Sequence, residues 1–209
     1  MPTSVFNQLN EIVELVVLTD PKSLLDVGVG FGKYGVLARE YLEFWDGREK
    51  YHEWTRRIDG IEAFKEYLTP VHEYVYNHVY VGNALEIVPT LKEKYDLLLL
   101  IDIFEHFTCE EGKKFLADCL KVSKNVLIST PREMAKQEGA FGNPYETHKY
   151  QWTKKDFDQY DKKFFVPNDF SLIVYLGEDA QILHGKLMKR KMGNRLPWLR
   201  SMYRTMKHS

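Results

Sequence analysis

The apolar residues of this chain follow two different spacings, and each spacing predicts one type of element. Short, mostly apolar segments that suit buried strands occur at 24–27, 57–62, 79–81, 95–101, 126–129 and 170–176. Between them, apolar residues recur every three or four positions, which predicts helices. Strands that alternate with helices in this order predict an α/β fold with a mostly parallel sheet.

The two ends of this pattern carry specific predictions. Apolar residues over 5–19 predict a helix with Thr3 or Ser4 as its N-cap, and its expected role is to cover one edge of the sheet. At the other end, Gln181 to Met188 is predicted as a strand that forms a hairpin with 170–176 across a short turn-like segment.

A glycine-rich stretch from Leu24 to Gly35 follows the first predicted strand. Its four glycines allow the backbone to turn sharply and let a ligand lie against it without a Cβ in the way. A phosphate-binding P-loop is excluded, because Val27 and Tyr34 stand where that motif requires a glycine and a Ser or Thr. A dinucleotide-binding G-x-G-x-x-G fingerprint does match from Gly30, two residues later than usual relative to the strand.

The same stretch also contains an acidic residue followed by three alternating glycines, namely Asp26, Gly28, Gly30 and Gly32. This pattern resembles the first motif of class I S-adenosylmethionine-dependent methyltransferases. A glycine-rich turn that binds no ligand is the remaining interpretation of the stretch.

A second resemblance to the same family follows the apolar segment 95–101. Asp102-Ile103-Phe104-Glu105-His106 is similar to the [Asp/Glu]-x-[Leu/Phe]-Glu-His sequence that small-molecule class I methyltransferases carry after their fourth strand. A nicotinamide dehydrogenase has no need for this sequence. The resemblance extends over residues 22–188. It implies a Rossmann-like class I fold, in which a seven-stranded, mostly parallel sheet has an antiparallel last strand and helices on both faces.

The resemblance implies that one set of residues binds S-adenosylmethionine. The glycines of the first motif would receive its methionyl end, with the acid beside them oriented toward its ammonium group. Glu62 would hold the ribose, because a carboxylate accepts two hydrogen bonds from a diol, and a solvated strand-end acid is the alternative. Asn83 would contact the adenine, with a helix-capping role as the alternative. The complete predicted set is Asp26, Gly28, Gly30, Gly32, Glu62, Asn83, Ala84 and Asp102.

The segment from Arg132 to Trp152 shows neither a helical nor a strand spacing. Such a long irregular segment inside a domain is typical of a lid or binding loop, and an ordered Ω-loop is the alternative. Its Asn-Pro-x-x-x-His-x-x-x-Trp sequence resembles the acceptor-side cover of the same family. The resemblance implies that Tyr145 and Trp152 contact the substrate and that His148 is the base. His106 is the second candidate for the base, and a purely structural histidine is its alternative.

Composition narrows the class of protein. The 209 residues suit one α/β domain, which we place at 1–188, with an N-terminal helix within 1–20 and a substrate-side loop at 132–152. The two cysteines have no metal-binding spacing, and no metal site is predicted. The longest apolar run, 97–101, is too short to cross a membrane, and no signal peptide is visible, so we expect a cytoplasmic protein.

Charge is distributed unevenly along the chain. The segment 189–209 contains seven Lys and Arg residues and no acid, whereas the net charge of the whole chain is −1. A short amphipathic helix is predicted after Pro197. Such a basic tail suits contact with an anionic membrane surface, with a partner, or with the acidic body of the chain. No specific nucleic-acid contact is predicted, and the oligomeric state is left open.

The functional prediction is therefore transfer of the methyl group of S-adenosylmethionine, which leaves S-adenosylhomocysteine. The predicted acceptor is an oxygen of a small molecule or glycan, with nitrogen as the second choice. Two alternatives stay open: a catalytically silent methyltransferase-like binding module, and a nicotinamide-dependent oxidoreductase.

Overall fold

The structure is a computed structural model that describes residues 4–44 and 53–195. Thr3, one of the two predicted N-caps, and the helix predicted after Pro197 lie outside these residues.

Within the described residues, seven strands form a single sheet. They are β1 (Ser23–Val27), β2 (Arg57–Glu62), β3 (His78–Val81), β4 (Leu97–Ile101), β5 (Asn125–Pro131), β6 (Lys163–Val166) and β7 (Ser171–Gly177). Their order across the sheet is β3-β2-β1-β4-β5-β7-β6. β7 runs antiparallel to both of its neighbours, and the other neighbouring pairs are parallel. The predicted sheet, with its antiparallel last strand, is confirmed.

Helices pack on both faces of this sheet, as predicted. The α-helices of the described chain are α1 (Leu9–Thr19), α2 (Lys33–Glu43), α3 (Pro70–Val75), α4 (Ala84–Ile87), α5 (Cys109–Val122) and α6 (Ala180–Arg195). Buried side chains of α1, α2 and α6 share one apolar core with the sheet, and those of α4 and α5 share a second core. None of the helices in this part of the chain combines the length and the apolar character needed to span a bilayer.

The strand β4 shows why its predicted apolar run is buried throughout. Leu97 and Leu99 belong to one core, whereas Leu98 and Leu100 belong to the other, and all four are fully buried. Successive side chains of a strand point to opposite faces, so a strand between two helical layers has no polar face.

The predicted strand from Gln181 to Met188 is wrong. The segment belongs to α6, which continues to Arg195, past the predicted domain boundary at 188. Ala180, Leu183 and Leu187 are buried at three- and four-residue spacing, whereas Ile182 is exposed, which is the pattern of one helical face. The hairpin partner of β7 is instead β6, which precedes it in the chain.

The N-terminal helix is shorter than predicted. A 3-10 turn at Phe6–Gln8 comes before α1 and begins without a side-chain cap. Ser4 is therefore not an N-cap, and its hydroxyl donates instead to the Tyr34 hydroxyl at 3.1 Å. This segment does more than cover an edge of the sheet, because Gln8 donates a hydrogen bond to Asp102, directly after β4.

The register of the parallel strands brings four loops to one edge of the sheet. Val27 pairs with Ile61 of β2 and with Leu100 of β4, and Glu62 pairs with Val81 of β3. The loops after β1, β2, β3 and β4 therefore begin side by side at the carboxyl ends of the strands. Ligands of open α/β sheets bind at this edge.

Two helical glycines test the packing between α5 and the core. A Cβ on Gly112 would overlap the indole ring of Trp152, whereas a Cβ on Gly185 of α6 would meet no atom within 4 Å. We expect Gly112→Ala to lower the free energy of unfolding by about 1–3 kcal/mol, because the overpacking outweighs the gain in helix propensity. Gly185→Ala, the matched control, should raise it by about 0.5–1 kcal/mol. Urea unfolding followed by circular dichroism measures both, and equal stabilisation of the two variants would contradict the packing described.

Candidate functional site

The loop after β1 adopts a backbone conformation that favours glycine at three positions. Gly28, Gly30 and Gly32 have φ angles of 75°, 51° and 87°, in the left-handed region that L side chains rarely adopt. Gly32 is also the N-cap of α2, which begins at Lys33. The alternating glycines of the predicted motif therefore serve a tight strand-to-helix turn.

Glu62, at the end of β2, fastens this loop in place. Its Oε2 accepts a hydrogen bond from the Gly30 N–H at 2.9 Å, and its Oε1 accepts one from the Phe64 N–H at 2.9 Å. The side chain is 5% exposed, so the alternative of a solvated strand-end acid is wrong. Burial raises the pKa of Glu62, while the backbone donors act in the opposite direction.

Asp26 lies beneath the glycine loop. The side chain is 2% exposed and accepts a hydrogen bond from the Tyr76 hydroxyl at 2.6 Å. Burial raises the pKa of Asp26 to about 6, and the bond from Tyr76 limits that rise. The structure therefore shows a buried acid near the end of β1 whose side-chain partner is the Tyr76 hydroxyl.

A cavity of about 210 Å³ opens at this edge of the sheet. Its lining contains the following predicted site residues: Gly28, Gly30, Glu62, Asn83, Ala84, Asp102, His106 and Tyr145. Four other predicted residues, Asp26, Gly32, His148 and Trp152, are not part of the lining. Eight of the twelve predicted site residues therefore line one cavity.

Asn83 has the capping role that was considered for it and also lines the cavity. Its Oδ1 accepts from the Leu85 N–H at 3.0 Å at the start of α4. The neighbouring Ala84 contributes to the same wall.

Asp102 is held in an unusual backbone conformation, with φ 53°. Its Oδ2 accepts hydrogen bonds from Gln8 Nε2 at 2.6 Å and from the Val5 N–H at 3.3 Å. Burial raises the pKa of Asp102 to about 6, and the nearby Lys33 acts in the opposite direction. Gln8 was not predicted as a site residue. The sequence contained one signal for such a role, because Gln8 is a polar residue between Val5 and Ile12, on the apolar side of the predicted helix.

The two candidate bases lie together, although only His106 lines the cavity. Their ring centroids are 5.1 Å apart. The Nδ1 of His106 lies 3.1 Å from the Thr147 carbonyl oxygen, and the Nδ1 of His148 lies 2.7 Å from that of Ala135. Because a carbonyl oxygen only accepts, each Nδ1 carries the hydrogen in these bonds, which leaves Nε2 with its lone pair in a neutral ring. Burial lowers the pKa of His106.

Glu105 lies directly before His106 and was predicted only as part of a sequence motif, without a role of its own. The side chain is 2% exposed, and its Oε2 has no hydrogen-bond partner among the described residues. Burial raises the pKa of Glu105 to about 8, and the charge of Asp102 adds to that rise. Its carbonyl oxygen accepts from the Lys149 N–H at 2.8 Å, which attaches the 132–152 loop to the end of β4.

The 132–152 loop closes one side of the cavity with a 3-10 turn at Pro144–Glu146. Tyr145 in this turn is half exposed and lines the cavity. Glu146, which was not predicted, also lines it and accepts from the Tyr67 hydroxyl at 3.2 Å. The predicted substrate contact by Trp152 is corrected, because this side chain is 2% exposed in the core and its indole donates to the Phe104 carbonyl oxygen.

Comparison with solved structures shows the class I methyltransferase fold. A putative O-methyltransferase from Nostoc punctiforme PCC 73102 is similar over 82% of this chain and 57% of its own, with a TM-score of 0.56 and 14% identity. Monomeric WbdD is similar over 84% of this chain and 42% of its own, with a TM-score of 0.58 and 16% identity. Magnesium protoporphyrin IX methyltransferase from Synechocystis PCC 6803, with bound SAH, is similar over 82% of each chain, with a TM-score of 0.52 and 13% identity.

This chain is shorter than several of the proteins that it resembles. It spans 57% of the Nostoc structure, 42% of monomeric WbdD and 35% of a WbdD structure that includes the C-terminal bundle. No protein-family model and no curated protein matches the sequence.

The buried pair of Asp26 and Tyr76 gives a pH-dependent prediction. The unfolded chain ionises the Asp26 carboxyl near its usual pKa of 3.8, and the folded protein near 6. The folded state binds more protons between these values, so this group lowers stability as the pH rises through that window. Tyr76→Phe should cost about 1.5–3 kcal/mol of unfolding free energy near pH 7.5, where the folded carboxylate is charged, and less near pH 5.

Urea unfolding at both pH values measures this difference. Tyr41→Phe is the matched control, because Tyr41 is exposed on α2, and it should change stability little at either pH. An equal loss for Tyr76→Phe at the two pH values would show that its hydroxyl does not stabilise the charged carboxylate.

Proposed function

We propose that this chain binds S-adenosylmethionine at the carboxyl edge of the sheet and transfers the methyl group to an acceptor. The observation that carries the proposal is the order of groups around one cavity: the glycine loop after β1, Glu62 at the end of β2, Asn83 after β3 and Asp102 after β4. Each group occupies the position that the sequence resemblance assigns to a cofactor contact. Further support comes from methyltransferase structures of the same fold that contain SAH.

The polar groups of the cavity suit the three parts of this cofactor. Gly28 and Gly30 offer backbone without a Cβ, against which the methionyl end can lie. The Glu62 carboxylate has lone pairs beyond the two that its backbone donors use, and these can accept from ribose hydroxyls. Asn83 uses Oδ1 for the helix cap, which leaves Nδ2 to donate to the adenine.

The charge of the cavity suits a cationic ligand. Four carboxylates line it, from Glu62, Asp102, Glu111 and Glu146, against the ammonium groups of Lys33 and Lys149. S-adenosylmethionine carries a sulfonium, an ammonium and a carboxylate group, so its net charge is positive and a wall with an excess of acids attracts it.

When bound, S-adenosylmethionine supplies a methyl group that its sulfonium sulfur has already activated. The chain then has to hold the acceptor in line with that methyl group and receive the acceptor's proton. We propose that His106 and His148 receive the proton, because each ring keeps Nε2 as an acceptor and His106 lies in the cavity wall.

The proposed acceptor atom is an oxygen of a small molecule or glycan, with nitrogen as the second choice. Phe31 and Tyr145 line the cavity with exposed fractions of 66% and 48%, so aromatic ring faces are available to an organic ligand or a sugar. A hydroxyl acceptor also gives the two imidazole groups a proton to remove.

Replacing Glu62 tests the cofactor site. We expect Glu62→Gln to raise the Kd for S-adenosylmethionine by about 10- to 100-fold, because an amide accepts only through its single oxygen. Isothermal titration with S-adenosylmethionine, S-adenosylhomocysteine and NAD measures the affinities. Glu66→Gln is the matched control, because Glu66 is exposed and lies outside the cavity lining. Binding of NAD in preference to both sulfur compounds would overturn the proposal.

Replacing the two histidines tests the transfer step. His106→Ala and His148→Ala should each lower kcat by about 10²- to 10⁴-fold. SAH release over a panel of hydroxyl- and amine-bearing small molecules and glycans provides the assay. His184→Ala is the control, because His184 of α6 stacks on Phe164 of β6 and does not line the cavity. Normal turnover in both variants would remove the histidines from the mechanism, and cofactor binding without turnover on any acceptor would favour a silent binding module.

A further inference from the structure

We propose that Glu105, His106 and His148 form a binding site for a divalent transition-metal cation beside the cavity, where His106 lines its wall. Each residue offers one ligand atom, and the three atoms lie within 4.8 Å of one another. The three residues come from two separate segments, the turn after β4 and the 132–152 loop, which the fold brings together. Cation binding does not depend on the proposed methyl transfer. The role of the cation toward an acceptor rests on that proposed function.

The two histidines are oriented as metal ligands usually are. A ligating imidazole commonly donates its second ring N–H to a backbone carbonyl or carboxylate, which fixes both the tautomer and the ring orientation. His106 donates from Nδ1 to Thr147, and His148 donates from Nδ1 to Ala135. Both rings therefore keep the lone pair of Nε2 for another partner.

Glu105 provides an independent sign of a missing partner. Its Oε2 is buried without a hydrogen bond, and the described residues place no ion pair on this carboxylate. A buried polar atom without a partner is costly in a native structure and calls for an explanation. A cation shared with the two imidazole groups would supply that partner.

The surroundings add to the attraction for a cation. The carboxylates of Asp102 and Glu146 both act electrostatically on Glu105. These two acids favour a positive charge at the cluster, and a divalent cation that displaces the Glu105 proton on binding would supply it.

The donor set indicates the class of metal. Two imidazole nitrogens and one carboxylate oxygen suit Zn²⁺, Co²⁺, Fe²⁺ or Mn²⁺ better than Ca²⁺ or Mg²⁺, which prefer oxygen ligands. Donors lie about 2.0–2.2 Å from Zn²⁺, and hence roughly 3–4 Å from each other. Side-chain rotations that move the three ligand atoms by about an ångström would therefore bring them to coordination distance of an ion.

The position of the cluster connects the cation to the proposed function. His106 lines the cavity, and three protein ligands leave coordination positions open. A bound cation would occupy both Nε2 lone pairs, so the metal-bound protein would not use these imidazole groups as the base. If the proposed methyl transfer holds, an acceptor hydroxyl on the cation would instead lose its proton more easily to water, because a coordinated oxygen has a lowered pKa.

Metal titration of the full chain tests the site. After removal of metals with a chelator, we expect the protein to bind about one equivalent of Co²⁺, with visible absorption bands of a four- or five-coordinate site. Competition with Zn²⁺ should abolish these bands. His148→Ala and Glu105→Gln should each weaken Co²⁺ binding at least about tenfold. His78→Ala, the control at an exposed histidine, should bind like the wild type.

Two further measurements separate the possible outcomes. Circular dichroism checks that each variant is folded, and His148→Ala serves where Glu105→Gln fails to fold, because His148 is only partly buried. The proposal is overturned if the wild type binds no Co²⁺, Zn²⁺ or Mn²⁺, or if His148→Ala keeps wild-type affinity. Titration of the same metal-free protein with S-adenosylmethionine is an independent measurement. If the protein binds the metal but not the cofactor, the metal site is supported and the proposed function is overturned. If it binds the cofactor but no metal, the metal site alone is overturned.

Discussion

The hydrogen bond from the Gly30 N–H to the Glu62 carboxylate is the contact on which the candidate site depends. It joins residues 32 positions apart, and it holds the glycine loop after β1 against the end of β2. The Gly28 and Val29 N–H groups donate to the Ile61 carbonyl oxygen beside it. Because the left-handed loop cannot form a regular ladder, these bonds from β2 provide the partners that its backbone requires. These bonds therefore fix the part of the cavity wall that the glycine loop forms.

The site concentrates buried acids whose charged forms are costly. Burial raises the pKa values of Asp26 and Asp102 to about 6, and that of Glu105 to about 8. Such a cluster lowers the stability of the folded chain, and clusters of this kind are common at functional sites. A cationic ligand offsets the cost, which is a physical reason why both a sulfonium cofactor and a metal ion suit this edge of the sheet.

The sequence predicted the parts of the structure that local patterns determine. The glycine motif and the acid at the end of β2 are each encoded within a few residues. The contacts of Gln8 with Asp102 join residues 94 positions apart, and no local spacing specifies them. The segment after β7 was misassigned because a short apolar run suits a strand as well as a helix, and only packing against the sheet decides between them.

Hydrogen exchange with and without S-adenosylhomocysteine tests the central claim most directly. If the carboxyl edge of the sheet is the cofactor site, the ligand should slow exchange in 28–32, 82–85 and 102–106, because these loops border one cavity. A second depression, lined by Thr69, Glu73 and His78, should show no change and serves as the internal reference. Protection confined to that depression, or no protection anywhere at saturating ligand, would contradict the account.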